Sequence, residues 1–159
     1  MKQEIDSHGL AMAKAAWSSG SMASLASTAM LAWRGARDCD SVFAPVNAVS
    51  HWLWEEEALH QQRGTLRHTV AGYAIHHAMS VLWATVYERL LHGRPGRQRA
   101  ARRGLAALAV TAVACAVDLK ATPRRFTPGF ERRLDGRSLA LVYLAFAAGL
   151  ALARPRRRG

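Results

Sequence analysis

Seven histidines and eleven acidic residues are the side chains of this 159-residue sequence best suited to hold a metal or a haem. His76 and His77 are adjacent inside TVAGYAIHHAMSVLWATVY, residues 69–87, a stretch free of Asp, Glu, Lys and Arg. Neighbours on a helix point about 100° apart, so the two cannot grip one ion. One of them could serve as an axial ligand to a b-type haem, with His51 folding back to supply the second. His51, His76 and His77 are therefore the candidate cofactor-binding residues. His60, His68 and Glu57 are the candidate metal ligands, with Glu55 and Glu56 beside them. Glu57-x-x-His60 has the i, i+3 spacing of di-iron carboxylate helices, which need a second such pair on a facing helix. Glu88 and His92 lie at the opposite end of the charge-free stretch and cannot complete it. His68 and His76 would be separated by about 12 Å along one helix, too far for both to ligate one ion. The simpler reading needs no cofactor. It places His76 on a polar stripe with Thr69, Tyr73, Ser80 and Tyr87, hydrogen-bonded to a neighbouring helix.

No P-loop, Rossmann glycine pattern, Ser/His/Asp arrangement or H-E-x-x-H is present. Nothing argues for an enzyme, and no residue is assigned as catalytic.

The elements that must position these side chains read as membrane helices. Lys and Arg number 22 against 11 acidic residues, a net charge of +11, yet the basic residues stop where the apolar runs start. A mean hydropathy of -0.06 averages over this segregation. Besides 69–87, the runs 15–33, 104–117 and 138–153 are apolar and free of charge before Asp118. About 20 residues cross a bilayer, and arginines at the ends of a shorter helix can snorkel. Residues 42–54 are apolar but short, carry Pro45 and Asn47, and end in Trp52 and Trp54, which suits an interfacial or re-entrant helix. The sequence therefore predicts an all-α polytopic membrane protein with four transmembrane helices and one short interfacial helix, a single domain over residues 1–159. Helices are expected near 15–33, 66–91, 103–119 and 138–153, a short one near 47–60, and no strands. The run 15–33 exceeds a signal-peptide core, so it reads as a retained anchor. Asp118 is expected at an interface or paired with a base.

Gly20, Ser24 and Thr28 recur every four residues and share a face, which predicts a close approach of the first helix to His76 and Ser80. With four crossings both termini share a side. That side carries 12 Lys and Arg over few residues against 10 over many, which predicts cytoplasmic termini in a bacterial inner membrane. The expected partners are the bilayer, anionic lipid headgroups at basic loops such as TPRRFTPGFERR, and another membrane protein. The charge alone would also fit a soluble basic helical protein that binds nucleic acid. Against that stands the lack of aromatic interleaving, helix-turn-helix or zinc motif. Cys39 and Cys115 are not expected to form a disulfide.

PVNAVSH before the second run, GYAIHH within it and FTPGFE in the last loop are the most distinctive segments. In them the chain resembles a group of short, uncharacterised bacterial inner-membrane proteins, from about Gly20 onward. The resemblance implies membrane location and no particular activity.

Overall fold

The computed structural model describes residues 2–92 and 99–153. Six helices make up the fold: α1 (Lys2–Asp38), α2 (Ala44–Val49), α3 (His51–His60), α4 (Ala71–Leu91), α5 (Arg99–Ala116) and α6 (Gly136–Leu152). A π-helical turn at Leu66–Val70 leads into α4, and another at Val117–Ala121 extends α5. No strand occurs among the described residues. The helices largely cover the charge-free runs, but α1 continues on both sides of the expected 15–33, through Lys14 and Arg34, and α5 begins among the arginines. Two start on side-chain caps: Thr65 accepts from the His68 amide, and Asp135 accepts from the Ser138 amide at the start of α6.

The long α1 is the centrepiece, packing against both α4 and α6, while α5 closes the far side against α6 and α4. A Cβ on Gly20 would lie 2.6 Å from the Val81 Cα, so α1 and α4 cross with their backbones nearly touching. This is the close approach expected from the small residues of α1. One apolar cluster joins Ala23, Ala84, Tyr87, Val110, Phe146 and Leu150. A second joins Leu31, Val46, Val49, Phe130, Leu134 and Val142 beneath α2. At one end Arg34 ties α1 to α6, its Nε donating to Ser138 Oγ at 2.7 Å and its Nη2 to Asp38 at 2.8 Å. At the other, the Arg103 guanidinium donates to the terminal carbonyls of α6 at Leu150, Ala151 and Ala153.

The expectation of four transmembrane helices is overturned. Among the described residues one helix, Ala100–Ala121, is long and apolar enough to cross a membrane. Freedom from charge is not the same as hydrophobicity. Residues 15–33 owe their neutrality to Ser18, Ser19, Gly20, Ser21, Ser24, Ser27 and Thr28, which transfer poorly to hydrocarbon. In α4 Tyr73, His76, His77, Ser80 and Trp83 dilute the apolar residues in the same way. The helix α6 is apolar, but its 17 residues reach only about 25 Å, short of a bilayer core. The placement of both termini on one side counted four crossings and loses its premise. The short segment resolves into α2, every residue of which is buried, and α3, broken at Glu55 with φ +45°. Residues 93–98, in one of the basic loops expected to meet lipid headgroups, lie outside the described residues, as does the tail 154–159.

Candidate functional site

The sequence-predicted ligands are spread over α3, α4 and the turn before it, and two of them, His68 and His77, keep a buried ring nitrogen without a hydrogen bond. The His51 Nδ1–H donates to the Ala48 carbonyl at 2.8 Å, and Nε2 faces the Arg124 carbonyl at 3.4 Å. The ring is buried under the last loop, held by backbone on two sides. His76 Nε2 meets Ser27 Oγ of α1 at 2.8 Å. His77 points elsewhere on α4, its ring 5.1 Å from that of Trp17 and 5.8 Å from that of Tyr73. Of the second set, His68 and Glu57 do come together: Nε2 lies 3.5 Å from Oε1 beneath Trp54. Arg67 occupies the same carboxylate with two bonds of 3.1 and 3.2 Å. His60 instead bonds the Glu56 carbonyl of its own helix. Among the described residues no three His, Cys, Asp or Glu side chains form a group able to hold a metal.

The three distinctive segments of the sequence converge on α2. Asn47 of PVNAVSH is fully buried, donating from Nδ2 to the Gln61 and Arg63 carbonyls and accepting from Thr69 Oγ1. Gly72 of GYAIHH sits so close to the Val46 carbonyl that any Cβ would collide with it. Gly129 of FTPGFE, at φ +86°, approaches Ala48 and His51 in the same manner. Phe130 follows it to meet the His76 ring at 6.3 Å. Asn47 thus acts as the hub that locks the 61–69 connection onto α2. Sequence reasoning gave it no such role, because a single Asn in an apolar run does not reveal its partners.

Beside this junction lies a cavity of about 250 Å³ between α1, α4, α6 and the end of α5. Its wall includes Ile75, Met79, Trp83, Val117, Phe126, Phe130, Val142 and Phe146. The polar groups on it are few: Ser27, His76, Ser80, Asp118, Thr122 and Tyr143. The Ser27 hydroxyl lies 2.8 Å from both the Ala23 carbonyl and His76 Nε2, so it links the backbone of α1 to the ring on α4. Asp118 is not paired with a base; its partner is the Tyr143 hydroxyl, donating at 3.1 Å. Trp83 contributes an indole N–H that is buried without a partner. The histidine was legible as a polar group in an apolar helix. The cavity was not, since it needs Asp118 and Tyr143, on different helices, brought to one place.

No family model, curated protein or solved structure matches the chain.

Proposed function

We propose that the protein is a non-enzymatic, membrane-associated helical component whose apolar outer surface contacts lipid. The observation that carries this is an inverted distribution of side chains. Ser19, Ser24, Ser27, Ser80, Thr111 and Ser138 are buried between helices. Leu82, Leu90, Leu105, Leu108, Val113 and Leu144 are exposed. In water the opposite arrangement is favoured, and contiguous exposed apolar faces mark interaction surfaces. Small polar residues between helices allow close approach and hydrogen bonding, as at Gly20 and Ser27. The helix Ala100–Ala121 is the sharpest case, for only 22% of its apolar stretch is buried inside the molecule. A core helix of that length in a water-soluble protein would be mostly covered.

The role within the membrane is structural or accessory. His76 is bonded to Ser27 and His51 to backbone carbonyls, His68 and His77 lie against aromatic rings and keep one buried ring nitrogen each without a hydrogen bond, and the acids at the α3 surface pair with arginines. The resemblance of PVNAVSH, GYAIHH and FTPGFE to short bacterial inner-membrane proteins supports the same location. The test is fractionation of expressing cells followed by an alkaline carbonate wash. The protein is expected in the washed membrane pellet; its recovery in the soluble fraction would overturn the proposal.

A further inference from the structure

The cavity beside α2 combines an apolar, aromatic wall with one carboxylate, and this pairing defines a ligand class. Trp83, Phe130, Tyr143 and Phe146 supply ring surfaces and Asp118 supplies the acid. Asp118 accepts a hydrogen bond from Tyr143, which leaves its negative charge uncompensated. Among the described residues no Lys, Arg or His forms an ion pair with it. Three arginines of the last loop are committed elsewhere, Arg125 to Glu55, Arg132 to Glu56 and Arg133 to the Leu59 carbonyl, and Lys120, two residues from Asp118, forms no ion pair with it among the described residues. Glu131 adds a second negative charge to the neighbourhood and keeps one buried oxygen without a hydrogen-bond partner. In a protein of net charge +11, two neighbouring acids without a basic partner are an exception to the general balance.

We propose that this cavity binds a small lipophilic organic cation, an alkyl- or benzylammonium with its charged head at Asp118 and its apolar body among the aromatic rings. Three features favour this occupant over others. A metal ion would need several ligating groups, and Asp118 is the one carboxylate on the wall, with no cluster of three His, Cys, Asp or Glu among the described residues. An anion would meet a carboxylate with no donor cluster to offset it. A neutral hydrocarbon would fill the space but leave the acid uncompensated. An ammonium head answers the charge, and its alkyl groups stack on ring faces, where cation–π attraction adds to burial. The volume of about 250 Å³ limits the guest to about a dozen heavy atoms. The inference stands on the cavity and does not require the membrane reading; failure of one leaves the other to its own experiment.

Isothermal titration of the purified, detergent-solubilised full chain tests it, with protein-free micelles as blank. The probes are benzyltrimethylammonium, the net-neutral and similarly shaped benzyldimethylamine N-oxide, and benzylsulfonate. The cation is expected to bind at least about tenfold tighter than the N-oxide, with no heat from the sulfonate. Asp118→Asn is expected to remove that preference while binding of the N-oxide stays the same. Asp118→Glu, which keeps the charge, is expected to retain the preference, as is Glu57→Gln on the exposed face of α3. Equal affinity for cation and N-oxide in the wild-type protein would overturn the proposal, and that comparison decides even where Asp118→Asn fails to fold. So would an unchanged preference in Asp118→Asn, or its loss in Glu57→Gln, which would place the binding at the surface.

Discussion

Ser27 and His76 show how single side chains hold the two central helices in register. The bond crosses from His76 Nε2 on α4 to the Ser27 hydroxyl on α1 at 2.8 Å. Interhelical bonds of this kind contribute about 0.6 kcal/mol on average, so neither residue should be indispensable. His76→Phe and Ser27→Ala are each expected to lower the unfolding free energy by about 0.5–1 kcal/mol. The double variant should cost less than the sum of the two, because both remove the same bond. Strict additivity in denaturant titrations would show that the bond does not form. Arg34 is a stronger case. Its side chain is only 18% exposed, and it reaches both Ser138 and Asp38. Arg34→Ala is expected to cost about 1–2 kcal/mol, since it removes the bond to Ser138 and the pair with Asp38 together. Arg67→Ala should cost less than about 1 kcal/mol, because its pair with Glu57 is more than half exposed on both sides. Equal costs for the two variants would contradict this ranking.

Among the elements, α1 and α4 depend on a missing side chain. Any Cβ at Gly20 meets the Val81 backbone, so Gly20→Leu must push the helices apart and is expected to cost about 1–3 kcal/mol or more. A thermal midpoint unchanged by that substitution would contradict the crossing. The start of α6 rests on Asp135, whose carboxyl is held below its ordinary value by hydrogen bonding to Ser138, with Arg34 assisting. A folded-state pKa lowered in this way adds stability that is present above about pH 4, the unfolded value. That stability is lost as pH falls through the lower folded value. Asp135→Asn keeps a cap without the charge, so the thermal midpoint of the variant should fall less steeply than that of the wild type below pH 4. Parallel pH profiles would assign the acid sensitivity elsewhere. The elements themselves were legible: 66–91 was expected as helix and is found as a π-helical turn followed by α4, because Thr65 caps it and charge ends it. What could not be read was whether each helix meets lipid or protein. Ser19, Ser24 and Ser27 make 15–33 neutral without making it apolar, and periodicity carries no information on which partner covers them.

At the scale of the molecule, the buried polar and exposed apolar side chains form one pattern that no single helix reveals. Gly20, Ser24 and Thr28 mark a packing face in the sequence, and the structure sets Gly20 of that face against Val81 of α4, with Ser27 beside it making the bond. The cavity had no such signature. Asp118 looked like a charge near an interface, and only the fold sets it against Tyr143 from α6. Asn47 likewise gains its meaning from the carbonyls of Gln61 and Arg63, 14 and 16 residues away. The outer surface is the part that decides between lipid and water, and it can be read residue by residue. Protein reconstituted in lipid vesicles would be labelled with a carbene generated from an apolar, lipid-partitioning diazirine, and the modified residues mapped by mass spectrometry. Labels are expected on Leu105, Leu108, Val113 and Leu144, which face outward, and not on Ala107, Val110 and Leu150, which are buried between helices. Protein that stays in the aqueous phase, or whose outward leucines remain unlabelled within the vesicles, would contradict the membrane-contacting surface on which the proposed function rests.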